Sequence, residues 1–230
     1  MRYWLYPLWL LALAGLISLG LWQLDRAEQK RLWQTEQAGE ALQFSSGPGI
    51  EAAMAGRNWL KAELKVAWPD VNPLYLDNRT QQGKAGYELL LPVQLEDGSF
   101  MVANLGWLPL PASREVQPIV GRPEAKKLSG VLGYPVDTYT LGAEQGDKPW
   151  RLQQQSLALM ESRWRLDLHP WVIWLEQPLI PGIEARAPGA GQMPPERHVG
   201  YAVQWFALAL ALLILGGVLE WKTRKKQHHG

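Results

Sequence analysis

Two long runs without a charged residue, one near each end of the chain, constrain its fold more than any other feature. The first covers residues 3–24 and the second covers residues 199–219, and Leu, Ala, Ile and Val fill the centre of both. About 20 apolar residues in a helix are needed to cross the ~30 Å hydrocarbon core of a bilayer. Tryptophan and tyrosine, which favour the interface between lipid and water, stand at the ends of both runs. We therefore predict transmembrane helices at residues 3–24 and 199–221.

Each run has an alternative interpretation. The first run would also suit a cleaved signal peptide, but it is longer than the ~7–15 apolar residues of such a peptide, and no small-x-small cleavage site follows. The second run would also suit a buried core helix, which its length and aromatic flanks disfavour. We favour an uncleaved span at both positions.

The basic tail, residues 222–230, sets the predicted orientation. It begins with Lys222-Thr223-Arg224-Lys225-Lys226, and lysine and arginine beside a span favour the cytoplasmic side. Two spans put both termini on the same side of the membrane. We therefore expect cytoplasmic termini and an extracytoplasmic domain at residues 25–198.

Composition and missing motifs exclude several classes of function. A net charge of +1 with 47% hydrophobic residues argues against a disordered chain and against a nucleic-acid-binding protein. The chain has no cysteine, which excludes disulfides and cysteine-based metal or catalytic sites. It also lacks a phosphate-binding glycine loop, a Gly-x-Ser-x-Gly elbow and a His-Glu-x-x-His motif. We therefore expect no enzyme.

Short extended segments dominate the middle of the chain. A polar helix is predicted at 25–42, a break at 45–49, a short helix at 153–162 and a Pro/Gly-rich linker at 180–195. The predicted strands are 60–68, 74–78, 87–95, 99–108, 127–132 and 169–176. No internal repeat or heptad pattern is evident. The predicted fold is two transmembrane helices flanking a mainly antiparallel β domain, a small barrel or sandwich.

The dipeptide Asp97-Gly98 predicts the clearest hairpin. Both residues tolerate the positive φ of a type I′ turn, and apolar runs lie on either side. A two-residue loop would set Leu95 opposite Phe100 and would make residues 93 and 102 partners.

Three groups of residues, in order along the chain, match motifs of one known family. The first group is Gly20, Trp22, Gln23, Arg26 and Lys30, in the pattern Gly-x-Trp-Gln-x-x-Arg-x-x-x-Lys. The second, within residues 76–109, is Leu76-Asp77-Asn78-Arg79, Gly86-Tyr87, Pro92, Asp97-Gly98 and Asn104-Leu105-Gly106-Trp107-Leu108-Pro109. The third is His198, Tyr201, Ala202, Trp205 and Phe206, in the pattern His-x-x-Tyr-Ala-x-x-Trp-Phe. Together they resemble the surfeit locus protein one family of cytochrome c oxidase assembly factors.

That resemblance implies a function, a location and partners. It implies a membrane-bound assembly factor of the cell inner (plasma) membrane that helps to deliver or insert haem a into the catalytic subunit of a haem–copper oxidase. The implied partners are cytochrome c oxidase subunit I, haem a synthase and the lipid bilayer. The alternative is a non-catalytic scaffold that clasps an oxidase subunit without binding haem. Leu105, Glu196 and Arg197 depart from the family pattern, which usually has arginine at the first position and often asparagine at the others.

His198 is the metal-binding residue that the resemblance implies, as a ligand of haem iron. Neutral imidazole is a common axial ligand, and a site at the outer bilayer boundary leaves the haem propionates in water. Arg197 is placed to meet a propionate through a charge-assisted hydrogen bond. The alternative is an interfacial histidine that only anchors its helix. The other predicted haem-binding residues are Trp22, Gln23, Arg26, Tyr201, Gln204 and Trp205.

Each of these neighbours also has a structural interpretation. Trp22 and Trp205 suit the aromatic belt of a membrane protein. Gln23 and Gln204 lie near span ends on the same side and are expected to hydrogen-bond across the helix pair. Arg26 and Lys30, four residues apart, are expected on one helical face with their side chains reaching lipid phosphates.

Overall fold

The computed structural model describes residues 5–135, 148–189 and 193–227. It divides into two compact units, a helical unit (Met1–Gln34 and Met193–Gly230) and a middle domain (Thr35–Gln192). Each unit has its own packing and is considered separately.

Two 33-residue helices form the helical unit. Helix α1 spans Leu5–Gln37 and helix α4 spans Pro195–Gln227. Both are long and apolar enough to cross a membrane, and most residues in their apolar stretches are exposed to the surroundings. These features confirm the two predicted apolar helices and suggest a membrane protein. Residues 3 and 4 of the first predicted span, and residues 228–230 of the tail, lie outside the described residues.

The described residues of the middle domain form eight strands and two short helices. In chain order these are β1 (Leu42–Phe44), α2 (Gly47–Met54), β2 (Trp59–Ala67), β3 (Leu74–Gln81), β4 (Lys84–Leu95), β5 (Phe100–Pro109), β6 (Lys127–Gly133), β7 (Arg151–Leu152), α3 (Leu157–Trp164) and β8 (Leu168–Leu175). Every predicted strand is present, while β1, β7 and α2 were not predicted. Helix α2 starts inside the predicted break because Pro48 falls in its first turn, where proline is tolerated. The polar extension of α1 ends at Gln37, five residues earlier than predicted.

Five of the strands close into a small barrel. Their pairings run β2-β6-β8-β5-β4 and return to β2 through a short pairing of Val66 with Leu95 and Ala67 with Gln94. Strand β3 extends the sheet beyond β4, and β1 and β7 lie at the two ends of the strand order. The predicted β domain is therefore confirmed, but the sheet is mixed. Three pairings, β1–β2, β3–β7 and β5–β8, are parallel and were not predicted.

Apolar side chains from the β3–β4 and β4–β5 hairpins and from β8 fill the barrel. Leu89, Met101 and Ile173 have no exposed surface, and burial of a side chain of this size stabilises a fold by about 1.5–3 kcal/mol. Tyr75 and Tyr87 pack edge-to-face, with ring centroids 5.9 Å apart. Burial raises the pKa of Tyr75 to about 12. The phenol therefore stays protonated and donates its hydrogen bond to a backbone carbonyl, that of Pro118, at 2.7 Å.

The predicted register of the β4–β5 hairpin is wrong by one residue. Val93 pairs with Met101, residue 92 pairs with residue 102, and Gln94 pairs with Phe100. The loop therefore has three residues, 96–98. Gly98 donates its N–H to Leu95 O at 3.0 Å, and its φ is +85°. This is the arrangement of a type I turn followed by a left-handed residue.

Hydrogen bonds of the Asp97 carboxylate account for that longer loop. Its Oδ1 accepts from the Ser99 N–H at 3.0 Å, and its Oδ2 accepts from the Gly47 N–H at 2.8 Å. The Ser99 hydroxyl also donates to Oδ1, and this bond has the largest effect on the carboxylate. Together the hydrogen bonds hold the pKa of Asp97 below its ordinary value. Because this geometry does not put Asp97 at positive φ, the type I′ turn is not formed.

A two-residue turn with the type I′ pattern lies in the neighbouring β3–β4 hairpin. Gln81 pairs with Lys84, and both loop residues, Gln82 and Gly83, have positive φ, +49° and +79°. A Cβ at Gly83 would meet no atom within 4 Å, so this turn projects into open space.

The first part of the predicted linker, 180–195, belongs to the middle domain. Ile180 and Ile183 lie in its hydrophobic core. Glu184 and Trp107 exchange two backbone hydrogen bonds, at 2.7 and 2.8 Å. The segment is therefore bound to the end of β5, while residues 190–192 lie outside the described residues and α4 begins at Pro195.

Candidate functional site

His198 lies in the first turn of α4 and contacts α1. The residue is 7% exposed, and its Nδ1 atom is 2.7 Å from Oε1 of Gln23. The structure therefore brings together two of the predicted site residues, which are 175 positions apart in the sequence. Sequence reasoning paired Gln23 with Gln204 instead, but Gln204 is exposed.

A regular seam of buried and half-buried residues joins the two helices. On α1 these residues recur at alternating spacings of three and four: Tyr6, Trp9, Leu13, Leu16, Gly20, Gln23, Ala27 and Lys30. On α4 the most buried residues of the seam are His198, Ala202 and Ala209. This spacing is that of a heptad repeat, as in helices that pack at a small crossing angle.

Two glycines leave room for aromatic rings of the facing helix along this seam. A Cβ at Gly20 would lie 2.5 Å from a ring carbon of Phe206, and a Cβ at Gly216 would lie 2.9 Å from the Trp9 ring. The Trp9 indole N–H donates to Leu212 O at 3.3 Å. Small residues are enriched where membrane helices pack against each other. These contacts fix the rotation of both helices, and so they fix which residues meet beside His198.

The other predicted site residues lie at different distances from the seam. Trp205 is half-buried and occupies a seam position, whereas Trp22, Arg26 and Tyr201 are exposed. The Arg26 guanidinium lies 5.7 Å from the centroid of the Trp22 ring, a cation–π contact along one face of α1. The structure therefore joins Gln23 to His198 directly, while Trp205 follows on the same face of α4 two turns later and the other three residues are exposed.

The two cations of the first motif, Arg26 and Lys30, have different surroundings. Lys30 occupies a seam position and donates from Nζ to the Met193 carbonyl at 2.6 Å. Arg26 is exposed and donates to Gln29 Oε1 at 2.9 Å. Glu196 and Arg197 are also exposed. Lys30 therefore ties α1 to the residues just before α4, while Arg26 and Arg197 present positive charge to the surroundings.

The bonding of His198 suits a ligand of haem iron. Such a ligand must be a neutral imidazole with one nitrogen lone pair available, and its other nitrogen usually donates to a protein oxygen. In His198 the Nδ1 atom contacts the Gln23 oxygen. Its Nε2 atom is shielded from solvent and has no hydrogen-bond partner among the described residues. When bound, haem would supply an iron centre with an open position for this nitrogen.

A second polar centre, in the middle domain, explains part of the central motif. The buried Glu88 carboxylate accepts from Arg186 Nε at 2.7 Å and lies 3.6 Å from Arg79 Nε. It also accepts from the amide of Asn104, whose oxygen in turn accepts from the Gly106 N–H at 3.0 Å. Asn104 and Gly106 therefore have structural roles within β5.

The departure from the family pattern at Leu105 falls within the hydrophobic core. Leu105 has no exposed surface and packs with the barrel residues. A leucine suits this position because its side chain carries no polar group that would need a partner. The other two departures, Glu196 and Arg197, are at the exposed start of α4.

Comparison with known proteins gives one family. A sequence model described as the SURF1 family matches residues 10–210. This range includes most of α1, the whole middle domain and the first half of α4. The comparison with curated proteins finds no match.

Proposed function

The chain belongs to the SURF1 family, which is known for cytochrome oxidase assembly, and from this premise we propose that it helps to deliver or insert haem a into the catalytic subunit of a haem–copper oxidase. The family is one of assembly factors. The proposed partners are oxidase subunit I and haem a synthase, and the proposed cofactor is a transiently bound haem a.

The observation that carries this proposal is the contact of His198 with Gln23. It leaves the buried Nε2 atom of the imidazole without a hydrogen-bond partner among the described residues. We propose Nε2 as the haem ligand, with Trp22, Tyr201, Gln204 and Trp205 offering contacts to the porphyrin around it. The exposed cations Arg26 and Arg197 are placed to attract haem propionates.

The shielding of Nε2 also favours a second candidate function. Solvent does not reach this atom in the structure, so haem would reach it only if neighbouring side chains move. A scaffold that clasps an oxidase subunit and never binds haem would need no such movement. The two functions differ in whether the purified protein carries haem.

Absorption spectra test the haem proposal directly. We expect full-length protein, purified in detergent from cells that make haem a, to show Soret and α bands that His198→Ala loses. His169→Ala is the matched control, because it removes an imidazole that stacks on Trp171 in the middle domain. Equal spectra and haem content in wild type and His198→Ala would refute ligation by His198. Absence of haem from all three proteins would favour the scaffold.

Orientation is the second testable part of the proposal. We propose a periplasmic middle domain and cytoplasmic termini, because the basic residues after Trp221 resist translocation. A reporter inserted at Gly83, a turn in open space, should be active only outside the cytoplasm. The same reporter fused after Gly230, which lies outside the described residues, should be active only inside. The opposite activity at either position would overturn the orientation.

A further inference from the structure

The partner of His198 determines which of its two nitrogens carries the proton. Gln23 Oε1 lies 2.7 Å from Nδ1, and an amide oxygen can only accept a hydrogen bond. Nδ1 must therefore be the protonated nitrogen when it bonds this oxygen. In a neutral imidazole the second nitrogen, Nε2, then holds a lone pair and no hydrogen.

The surroundings of Nε2 favour the same tautomer independently. This atom is shielded from solvent and has no partner among the described residues. A hydrogen on Nε2 would be a buried donor without an acceptor, which is rarer in folded proteins than an acceptor without a donor. The bond at Nδ1 and the shielding of Nε2 thus both favour a proton on Nδ1.

We infer that Gln23 is a positioning residue that holds His198 in the Nδ1–H tautomer and so directs the Nε2 lone pair to a metal. That the metal is haem iron rests on the proposed function, whereas the tautomer does not. The neighbouring heptad positions of α1 are Gly20 and Ala27, which carry no competing acceptor. Gln23 is therefore the seam residue of this part of α1 whose side chain can set the tautomer.

Hydrogen bonding through Gln23 would also alter the chemistry of a bound metal. An acceptor on Nδ1–H makes the imidazole a stronger electron donor, which stabilises the oxidised iron and lowers the reduction potential. A carboxylate accepts more strongly than an amide. Gln23→Glu should thus lower the reduction potential of bound haem, and Gln23→Leu should raise it.

Imidazole nitrogen NMR of the haem-free protein tests the tautomer. We would label the four histidines with ¹⁵N and assign the His198 signals by their loss in His198→Ala. At a pH where the ring is neutral, wild type and the control variant Gln34→Leu should show one tautomer, protonated at Nδ1. Gln23→Leu should lose this preference, and Gln23→Glu should retain it. The inference would be overturned if Nε2 carried the proton in wild type, which is the result that a reversed Gln23 amide would give. It would also be overturned if Gln23→Leu left the His198 spectrum unchanged.

Reduction potentials of the haem-loaded protein provide the second readout. Gln34→Glu is the matched control, because it adds the same charge on an exposed side chain of α1 that has no proposed contact with haem. Opposite shifts for Gln23→Glu and Gln23→Leu, both larger than the shift for the control, would support the inference. If haem were bound through His198 but its reduction potential did not change on substitution of Gln23, the inference would be overturned and the proposed function would stand. A haem-free protein with the expected tautomer would instead refute the proposed function and support the role of Gln23.

Discussion

Replacing Gly106 with alanine should destabilise the middle domain by about 4 kcal/mol. The φ of Gly106 is +119°, and an added Cβ would lie 2.3 Å from Glu184 O and 3.0 Å from the Ile183 side chain. Backbone strain accounts for about 1–3 kcal/mol. The rest comes from displacing residues 183–184, because this breaks the two backbone hydrogen bonds between Glu184 and Trp107.

Gly83→Ala is the matched control for this substitution. Gly83 also has a positive φ, +79°, but a Cβ there would meet no atom within 4 Å. Only the conformational strain of about 1–2 kcal/mol remains. Urea unfolding of the full-length protein in mild detergent, followed by tryptophan fluorescence, measures both effects. Equal losses in the two variants would mean that the contact of β5 with residues 183–184 contributes nothing to stability.

Glu88→Leu should cost about 3–5 kcal/mol, because the carboxylate lies between two buried cations. The Glu88 side chain is close to the guanidinium groups of Arg186 and Arg79, and all three are largely withdrawn from solvent. Burial lowers the pKa of Arg79, and the charge of Glu88 opposes this shift. Removing the charge would leave both guanidinium groups buried without their carboxylate. We expect the Tm of the middle domain to fall by about 10 °C.

Glu96→Leu provides the comparison for an exposed ion pair. Glu96 lies 3.5 Å from Lys65, and both side chains are more than half exposed, so the expected loss is below about 1 kcal/mol. Thermal unfolding monitored by tryptophan fluorescence should separate the two variants clearly. If Glu88→Leu and Glu96→Leu were equally stable, the buried cluster would not stabilise the domain.

Most elements of the fold were predictable from the sequence because each of them has a local cause. Uninterrupted apolar runs predicted α1 and α4, and short extended segments bounded by turn residues predicted the strands that form the barrel. The β4–β5 register was not predictable, because Asp97 bonds to Gly47, fifty residues earlier. The parallel pairing of β5 with β8 was missed for a similar reason, since no local pattern specifies which distant strand becomes the neighbour.

The candidate site was predictable as a set of residues but not as an arrangement. The resemblance drew attention to His198 and Gln23, yet their contact depends on how each helix is rotated about its axis. In a span that is apolar on every face, hydrophobic periodicity does not reveal the buried face. The signal lies in small and polar residues at heptad spacing, Gly20, Gln23 and Ala27 on α1 and His198, Ala202 and Ala209 on α4.

The place of β8 in the barrel has a consequence for biosynthesis. Residues 168–175 form the last of the described strands in chain order, yet they lie between β5 and β6 and complete the ring. The β3–β4 and β4–β5 hairpins join neighbouring segments and can form as the chain emerges, whereas β5 and β6 acquire their shared neighbour only after residue 175 has been made. A growing chain therefore carries two open strand edges until late in synthesis. During that interval these edges are the part of the molecule most exposed to unwanted pairing with other chains.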